Sequence, residues 1–585
     1  MKKATFTNSL FICFMIFVLS FQATGVYCSG LPDTKPVISG LTYYNITQTG
    51  VTVVWKTDTP ADSKIKWMAV DSNYQSLIFT DSLYLSNLVT FHVIDITNLS
   101  AASIYHYQVL SQNTDGAAVD SGYFVTQSVS SGKVDVYFNH SVDTTVSNGE
   151  KANGNINFET LLDDRINKAN HSIDITLWEF KDITSVANAL VNAKNRGVKI
   201  RFVYNYSKNT SLMDTLVAHG IHIQKRNFDT TYTMHDKFWI FDYRYNTSAT
   251  DNYLWTGSTN VSYPQFHSDR NNVIVIQDQS LCAVYTREFE EMWGSHTDLP
   301  DSSRAKFGTR KANNTPHILN IGGNRMEVYF SPTDSVATFL SNLMTTRTTK
   351  SLFFCMLKFW LPSIEDSLHS LLNAGKLISG VFDESYSMAP NSAYPRMKGI
   401  ADTNAWSPPA DVFVDTIAGL LHHKYMIIDA NSLGGNKITS TGSFNWEVAA
   451  SVGNDENSLT IFDARVNNLY FQEFHQRYKE SGGKLIGAQS TEYIPSPSCM
   501  LEQNYPNPFY TATTIKFTIA KRCAVKIVVY DMMGREVQTV TDEMMTPGTH
   551  EVSLNCSALT SGVYFYQLSD GDHSESKRMV VEKMN

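Results

Sequence analysis

Two copies of one short pattern constrain this chain of 585 residues more than any other feature. Each copy has a histidine, a lysine two positions later and an aspartate five positions after the lysine, and a Gly-Ser-x-Asn tetrapeptide follows. The copies begin at His235 and His422, and the tetrapeptides occupy residues 257–260 and 442–445. Because a pattern that recurs with its internal spacing indicates a repeated structural unit, we predict that the chain contains a duplicated domain.

The order of predicted elements is the same around both copies. In the first half, a strand at 172–177 precedes a helix at 185–194, whose apolar residues recur at helical spacing, and a strand at 198–203 follows. The corresponding elements of the second half are strand 351–356, helix 364–372 and strand 377–382. A strand, a helix and a strand in succession form a parallel unit, so each half is predicted to be an α/β domain.

Each His-x-Lys element is predicted to fall on a strand that is anchored by the apolar residues after it. Side chains two positions apart on a strand point to the same side, so each histidine shares a face with its lysine. The candidate catalytic residues are His235, Lys237, His422, Lys424, Asp242 and Asp429, and the candidate phosphate-binding residues are Ser258, Asn260, Ser443 and Asn445. Of these, the two aspartates end their strands, where a structural role is favoured over direct catalysis.

These side chains suit attack on a phosphodiester. The lysines supply positive charge, and the serine hydroxyls and asparagine amides can hydrogen-bond the non-bridging oxygens as negative charge develops on them. One neutral histidine can attack phosphorus and form a phosphohistidine, while the other protonates the leaving oxygen. This chemistry needs no metal, and the seven cysteines show no metal-binding spacing, so we predict no metal and no cofactor.

The duplicated HxKxxxxD and GSxN signature resembles that of the phospholipase D superfamily. The amino-acid sequences of residues 177–180 and 195–200 most resemble those of the compact bacterial nuclease and phospholipase D-like branch. The resemblance implies two α/β halves related by a pseudo-twofold axis, whose histidines meet at one pocket, and it implies catalysis without a metal. Since one chain carries both motifs, it also indicates a monomer.

A further comparison of the halves concerns the groups that orient the histidines. Glu456 matches the position at which this family commonly keeps a carboxylate for its histidine, and the same offset in the first half gives Asn271. A carboxylate favours the imidazolium and an amide does not. We therefore predict that His235 is the nucleophile and His422 the acid, with Asp269 as an alternative partner for His235.

Residues 36–127 show short alternating runs separated by polar turns, which is the pattern of a β-sandwich. The stretch resembles a fibronectin type III domain, with Trp55 at the core position of an early strand and Leu99 and Tyr105 at the corner before a later one. A passive spacer and a domain that contacts a cell surface or glycan both remain open.

The last module begins after a polar linker at residues 482–498. Its opening, QNYPNPF at residues 503–509, and its later alternating strands closely resemble the C-terminal sorting domain of type IX secretion cargo. The resemblance implies a second β-sandwich that the type IX secretion machinery reads as an address. It places the protein outside the cell or on its surface.

The N-terminus also indicates export. Lys2 and Lys3 precede an apolar run at 10–21 and small residues at 23–25, as in a signal peptide. The alternative is a membrane anchor, but the run is shorter than the roughly 20 residues that span a bilayer. The predicted division of the chain is a signal peptide at 1–25, a fibronectin type III-like domain at 36–127, phospholipase D-like halves at 133–298 and 321–481 with a linker at 299–320, a linker at 482–498, and a sorting domain at 499–585.

Charge bears on the substrate. The formal net charge is -9, and the duplicated region has more acidic than basic side chains. A nuclease needs a basic groove along many phosphates, whereas a phospholipid presents one diester to a deep pocket. We therefore favour hydrolysis of a phospholipid, with an extracellular endonuclease as the alternative. A surface-binding protein with a silent site is a third possibility, although a decayed site usually loses some of its signature residues.

Overall fold

The computed structural model describes residues 34–70, 78–205, 210–226, 231–246, 248–432, 435–484, 499–507, 509, 511–519, 522–531, 535–569 and 574–581. The predicted signal peptide and residues 485–498 of the predicted second linker lie outside these ranges. Within them, no helix is both long and apolar enough to cross a lipid bilayer.

The N-terminal region folds into antiparallel strands that pack around Trp55. The strands are β1 (Ile38–Tyr44), β2 (Val51–Ala69), β3 (Asp81–Ile96), β4 (Ile104–Asn113) and β5 (Gly116–Val125). The long strand β2 pairs with β1, β3 and β4, which links all five into one sheet. Trp55 is fully buried and donates to the hydroxyl of Ser111 at 2.9 Å. At the predicted corner, the hydroxyl of Tyr105 accepts from the N–H of Ser100 at 2.8 Å. The assignment to the fibronectin type III fold stays a prediction.

The first half of the duplicated region is a mixed sheet with helices. Its elements are β6 (Val134–Phe138), α1 (Phe158–Lys168), β7 (Ser172–Leu177), α2 (Thr184–Asn195), β8 (Lys199–Asn205), α3 (Ser211–Ala218), β9 (His222–Arg226), β10 (Phe238–Phe241), β11 (Tyr253–Gly257), α4 (Tyr263–His267), β12 (Asn272–Gln277) and α5 (Gln279–Trp293). The strand order is β6-β12-β11-β10-β7-β8-β9. Strands β7, β8 and β9 are parallel, as the predicted strand–helix–strand unit requires.

The second half repeats this order. Its elements are β13 (Ile318–Ile321), β14 (Asn324–Ser331), α6 (Val336–Arg347), β15 (Ser351–Met356), α7 (Pro362–Asn373), β16 (Leu377–Asp383), α8 (Glu384–Ser387), α9 (Tyr394–Met397), β17 (Asp411–Asp415), β18 (Lys424–Ile428), β19 (Ile438–Gly442), α10 (Val448–Val452), β20 (Glu456–Ile461) and α11 (Ala464–Glu480). The strand order β13-β14-β20-β19-β18-β15-β16-β17 matches that of the first half, with β13 added at one edge. The prediction of a duplicated α/β fold is confirmed.

The two halves share one buried core, which fixes them against each other. The helices α5 and α11 that end the halves both begin at an aspartate whose side chain caps the first turn. From α5, Tyr285 packs edge-on against Phe330 of the second half, with ring centroids 5.1 Å apart. From α11, Tyr470 packs against Phe138 of the first half at 5.3 Å. Buried aromatic pairs across this interface position the two motifs relative to each other.

The region predicted as a linker at 299–320 contains regular structure. Gly308–Arg310 forms a turn of 3₁₀ helix, and β13 begins at Ile318. The strand forms because Ile318 pairs with Glu327 of β14, which gives its backbone groups partners at the sheet edge.

The C-terminal module consists of two sheets. Its strands are β21 (Cys499–Leu501), β22 (Ala512–Ile519), β23 (Cys523–Tyr530), β24 (Glu536–Met545), β25 (Gly548–Asn555), β26 (Gly562–Ser569) and β27 (Ser574–Val581). One sheet has the order β21-β22-β25 and the other β24-β23-β26-β27. Phe517 from the first sheet and Ile527 and Tyr566 from the second are fully buried in a common core.

Candidate active site

The histidines of the two His-x-Lys elements lie just before β10 and β18 rather than within them. The N–H of His235 donates to the carbonyl of Asp455 at 2.8 Å, and the N–H of His422 donates to the carbonyl of Arg270 at 2.9 Å. Both bonds reach into the opposite half. The prediction that these elements fall on strands is therefore correct only for Lys424, the first residue of β18, because the backbone at both histidines leaves its own sheet to pair across the interface.

The glycine of each Gly-Ser-x-Asn tetrapeptide allows a close approach of two backbones. Gly257 and Gly442 have φ angles of 151° and 145°. A Cβ atom at Gly257 would lie 2.2 Å from the carbonyl oxygen of Asn272, and one at Gly442 would lie 2.3 Å from that of Asn457. Any side chain would force these strands apart, so glycine is required for the serine that follows to lie against the next strand.

Each histidine takes its orienting partner from the opposite half. Nδ1 of His235 lies 2.7 Å from Oε2 of Glu456, and Nδ1 of His422 lies 2.9 Å from Oδ1 of Asn271. The expectation that each partner serves the histidine of its own half is wrong. It fails because Asn271, just before β12, and Glu456, the first residue of β20, both lie at the interface, where the opposite histidine is found.

The alternative partner Asp269 does not contact His235. Its carboxylate accepts from Nε2 of Gln265 at 2.6 Å and from the N–H of Leu420 at 2.9 Å. It therefore holds a loop of the second half in place, and the proposal that it substitutes as an orienting group is corrected.

The two serines of the tetrapeptides hold these orienting residues. The hydroxyl of Ser258 donates to Oδ1 of Asn271 at 2.7 Å, and that of Ser443 donates to Oε2 of Glu456 at 2.6 Å. Each Oγ also accepts a backbone N–H of the next strand at 3.0 Å. Direct phosphate binding by the serines stays a prediction, while a positioning role follows from these contacts.

The asparagines of the tetrapeptides are also buried and bonded. Oδ1 of Asn260 accepts from the N–H of Glu179 at 3.3 Å. Nδ2 of Asn445 donates to Oε1 of Glu447 at 3.4 Å. These bonds fix the orientation of both amides, and phosphate binding by them remains a prediction.

The two lysines bring buried positive charge to the site. Nζ of Lys237 donates to the carbonyl of His235 at 2.7 Å, and Nζ of Lys424 donates to that of His422 at 2.6 Å. Burial lowers the pKa of Lys237 to about 8. Burial and the charge of Lys237 hold the pKa of Lys424 well below its usual range. An anion bound between them would restore both pKa values, so the site is built to receive negative charge.

Burial also shifts the pKa values of the two histidines and of Glu456. Burial, reinforced by the charges of the lysines, lowers the pKa of both His235 and His422 well below 6.5. Burial raises the pKa of Glu456 to about 7. Both rings are therefore neutral in the free protein near pH 7, which is the state that a nucleophile needs.

Asp242 and Asp429 occupy the far ends of their strands. The carboxylate of Asp242 accepts the backbone N–H groups of residues 170–172, and that of Asp429 accepts those of residues 349–351. Both aspartates have left-handed backbones, with φ angles of 57° and 55°. These contacts anchor the turns before β7 and β15 and support the structural role that the sequence favoured, and a catalytic role for the two aspartates stays a prediction.

Sequence reasoning missed two charged residues that act on the site, Lys358 and Glu179. The charge of Lys358 lowers the pKa of His235 and of Lys424, so it lies within electrostatic reach of the centre. Glu179 occupies the equivalent position of the first half, and its charge acts on Lys237. An alignment of the two repeats would have revealed this pair, since each residue is the second after its predicted strand.

Known sequence families match the duplicated region and the C-terminal module. The family described as "Cardiolipin synthase, PLD-like domain" matches residues 162–293 and 343–478. The family described as "Secretion system C-terminal sorting domain" matches residues 503–582. The chain thus carries two repeats of the phospholipase D-like domain followed by a type IX secretion sorting domain. The sorting domain identifies an exported protein, either secreted or held at the cell surface, and implies contact with the secretion machinery.

Individual relatives resemble shorter stretches. The mitochondrial cardiolipin hydrolase of Xenopus tropicalis is 30% identical over 140 residues, which cover 24% of this chain and 59% of the relative. A phospholipase D of Rickettsia typhi is 40% identical over 67 residues, or 12% of this chain and 30% of the relative. The chain therefore spans less than two thirds of the length of these relatives.

Among solved structures, Nuc from Salmonella typhimurium, a phospholipase D family member, aligns with 21% identity and a TM-score of 0.23. The alignment covers 26% of this chain and 94% of Nuc.

Proposed function

We propose that this protein is a secreted phosphodiesterase that hydrolyses a phospholipid phosphodiester through a phosphohistidine, without a metal. The observation that carries the proposal is the crossed pairing of His235 with Glu456 and of His422 with Asn271 between two buried lysines. Nucleophilic attack on a diester anion requires a neutral imidazole with a fixed tautomer, a second imidazole and nearby positive charge. The two histidines and the two lysines supply these groups.

The pairing assigns a role to each histidine. With Glu456 ionised, its Oε2 accepts Nδ1–H of His235, which leaves the lone pair of Nε2 free to attack phosphorus. Attack puts positive charge on the ring, and the carboxylate of Glu456 stabilises it, as the aspartate of a catalytic triad stabilises its imidazolium. His235 is therefore the nucleophile. The sequence analysis reached the same assignment by expecting Glu456 to orient His422, whereas here the role follows because Glu456 orients His235.

His422 serves as acid and then as base. Nδ2 of Asn271 donates to the carbonyl of Gln265 at 2.9 Å, which turns Oδ1 toward His422 and makes Nδ1 the protonated nitrogen of that ring. The negative charge of a bound diester raises the pKa of His422, so Nε2 gains a proton. An amide stabilises this cation less than a carboxylate would, which leaves a stronger acid for the leaving oxygen.

The two steps conserve atoms and protons. Nε2 of His235 forms a bond to phosphorus as the bond to the leaving oxygen breaks, and that oxygen takes the proton of His422. Water then gives a proton to Nε2 of His422 and attacks phosphorus, which breaks the N–P bond and releases a phosphate monoester. Lys237 and Lys424 neutralise the non-bridging oxygens throughout.

The acidic character of the chain supports a phospholipid substrate over a nucleic acid. Purified protein incubated with vesicles that contain phosphatidylglycerol or phosphatidylcholine, and separately with plasmid DNA, tests this. Each assay is run with and without chelator, beside His235→Asn. We expect release of phosphatidic acid that survives the chelator and is lost in the variant. Cleavage of DNA with intact lipid would instead establish the endonuclease, and inactivity on every substrate would support the surface-binding alternative.

We also infer that the active form is a monomer, because one chain supplies both histidines and both orienting groups. Light scattering of the active fraction measures its mass, and activity confined to a dimer fraction would contradict the inference. A spacer or surface-contacting role for residues 36–127 stays a proposal, which binding of the isolated segment to whole cells or glycans would decide.

A further inference from the structure

The residue between the histidine and the lysine of the motif differs in character between the two halves. It is His423 in the second half and Asp236 in the first, and both side chains are buried. The helices α5 and α11 each place a glutamate near this position, since the charge of Asp236 acts on Glu288 and the ring of His423 contacts Glu473. The duplicated frame therefore surrounds a base in one half and an acid in the other.

Both ring nitrogens of His423 face hydrogen-bond acceptors. Nε2 lies 2.9 Å from Oε1 of Glu473, and Nδ1 lies 3.2 Å from Oδ1 of Asn272. The amide is fixed in this orientation, because its Nδ2 donates to Oγ1 of Thr441 at 2.9 Å and to the hydroxyl of Tyr470 at 2.8 Å. A neutral imidazole has one N–H and can satisfy only one of the two acceptors. The geometry therefore indicates a ring that carries two protons and a positive charge.

The carboxylate of Glu473 is the counter-ion of this ring. Burial acts to raise the pKa of Glu473, but the charge of His423 outweighs it and lowers that pKa below its usual value. Nε of Arg477 also lies 3.1 Å from Oε1 of Glu473, and Arg477 has a second carboxylate partner in Glu480 at 3.0 Å. The hydroxyl of Tyr425 donates to Oε2 of Glu473. Because the loss of either charge would leave the other buried and unpaired, the ring and the carboxylate keep each other ionised.

Other titratable groups lie around His423 and His422. On the side of β6, burial lowers the pKa of His140 to about 4, and nearby positive charges, including that of His423, add to the decrease. His140 is therefore neutral near pH 7. At His422, burial lowers the pKa most, and the positive side chains that add to the decrease are those of Lys424, Lys237, His235 and His423. The charge of His423 thus reaches the ring of the candidate acid.

The position beside His235 carries no such cation. Asp236 takes the place of His423, and burial raises its pKa to about 8, so this side chain is neutral near pH 7. Glu288, the counterpart of Glu473, accepts instead from Nζ of Lys311 in the segment between the halves. The residue that follows the candidate nucleophile is therefore neutral, whereas the residue that follows the candidate acid is charged.

We propose that His423 is a positioning residue that acts through His422: a fixed imidazolium, held by Glu473 and Asn272, that makes His422 a stronger acid toward the leaving oxygen. The inference rests on the proposed function and adds the group that sets the strength of its proton donor. A fixed positive charge beside an imidazole destabilises its protonated form. A bound diester holds the proton on His422 and His423 opposes it, so the proton transfers as the leaving oxygen departs.

Titration of the histidines tests the inference. Protein labelled with ¹⁵N-histidine and saturated with dimethyl phosphate, a minimal diester anion, is followed by NMR between pH 5 and pH 9. We expect His423 to keep both ring protons throughout. In His423→Gln, which retains an amide N–H for Glu473 but has no charge, the pKa of His422 should rise by about one unit. The alkaline limb of kcat for phospholipid hydrolysis should move to higher pH by the same amount.

A matched control removes a different buried histidine. His475 also lies on the inner side of α11 and has a carboxylate partner, with its Nδ1 3.1 Å from Oδ2 of Asp143. His475→Gln should shift neither the pKa of His422 nor the alkaline limb of kcat. A purely structural role for His423 would lower kcat in His423→Gln and leave the limb in place, which would overturn the inference.

The outcomes also separate the inference from the proposed function. Cleavage of phospholipid with a pKa of His422 that His423→Gln leaves unchanged overturns the role of His423 alone. Absence of both dimethyl phosphate binding and diester cleavage overturns the function and the inference together. Should His423→Gln fail to fold, the parent decides. Its His423 resonances, assigned by contacts with the rings of Phe138 and Tyr425, should show two ring protons from pH 5 to pH 9, and a neutral ring would overturn the inference.

Discussion

Oε2 of Glu456, in the second half of the duplicated region, lies 2.7 Å from Nδ1 of His235 in the first half. The reciprocal contact, between Asn271 and His422, crosses the interface in the other direction. Neither half alone contains a histidine with its orienting group. The duplicated domain therefore has one site that depends on both halves, rather than two independent sites.

The first prediction concerns this contact. Glu456→Gln should lower kcat/KM roughly a hundredfold to ten-thousandfold, because a neutral amide neither fixes the reactive tautomer of His235 nor stabilises its positive charge after attack. Steady-state hydrolysis of the phospholipid measures the loss, and circular dichroism verifies the fold. Glu480→Gln, which changes a carboxylate at the end of α11, is the control for charge removal. A loss of less than about tenfold would show that Glu456 does not support the nucleophile.

A second prediction separates the two histidines. With bis(p-nitrophenyl) phosphate, the leaving phenolate needs no acid, so His422→Asn should release about one equivalent of p-nitrophenol in a burst and then stop. The phosphohistidine should accumulate on His235, because no base activates water. Rapid mixing measures the burst, and peptide mapping locates the phosphate. His235→Asn should give no burst, and a label found on His422 in the parent would reverse the assignment.

Anion binding should depend on pH through Lys237. Its folded-state pKa lies at about 8, lowered by burial, so the ammonium group is lost as pH rises above that value. Affinity for a non-hydrolysable phosphodiester should therefore fall above about pH 8, by up to about tenfold per pH unit. Isothermal titration calorimetry between pH 7 and pH 10 measures it, and Lys237→Arg, which stays charged, should flatten the curve. An equal decline in the arginine variant would place the titrating group elsewhere.

The aspartate of the repeated signature has a structural role, which a substitution of Asp242 tests. Asp242→Asn should lower the free energy of unfolding by about 1–3 kcal/mol, because the carboxylate accepts three backbone N–H groups in the turn before β7. Urea unfolding measures the loss. Turnover per folded molecule should stay within about threefold of the parent. A large loss of turnover without a loss of stability would place Asp242 in the catalytic set.

The repeated strands and helices and the residues of the signature could be predicted from the sequence, because both follow from local spacing. The sequence was insufficient for the partners of the histidines, which depend on how the halves are packed. Glu456 and Asn271 stand at equivalent positions, but only the interface between the halves decides which histidine each one meets. The environment of Asp236, between His235 and Lys237, was likewise not predictable, since it includes Lys311 from the segment between the halves and Asp455 from the second half.

That side chain, Asp236, supports a last prediction on stability. It is fully buried, and within the described parts of the chain neither of its carboxylate oxygens has a hydrogen-bond partner. Burial raises its pKa to about 8, against the opposing charge of Lys311, and Asp455 adds to the increase. The folded protein therefore holds a proton on Asp236 between about pH 4 and pH 8 that the unfolded chain has already lost.

It follows that stability falls as pH rises through this range, by about 1.4 kcal/mol for each pH unit that this group controls. Asp236→Asn, which mimics the protonated acid, removes this dependence and should be more stable than the parent by a few kcal/mol at pH 9, but not at pH 4. Urea unfolding of both proteins at the two pH values measures the difference. Burial also raises the pKa of Glu288. The stability of the variant therefore keeps part of its dependence on pH. A stability difference that is the same at pH 4 and pH 9 would mean that Asp236 titrates normally in the folded protein.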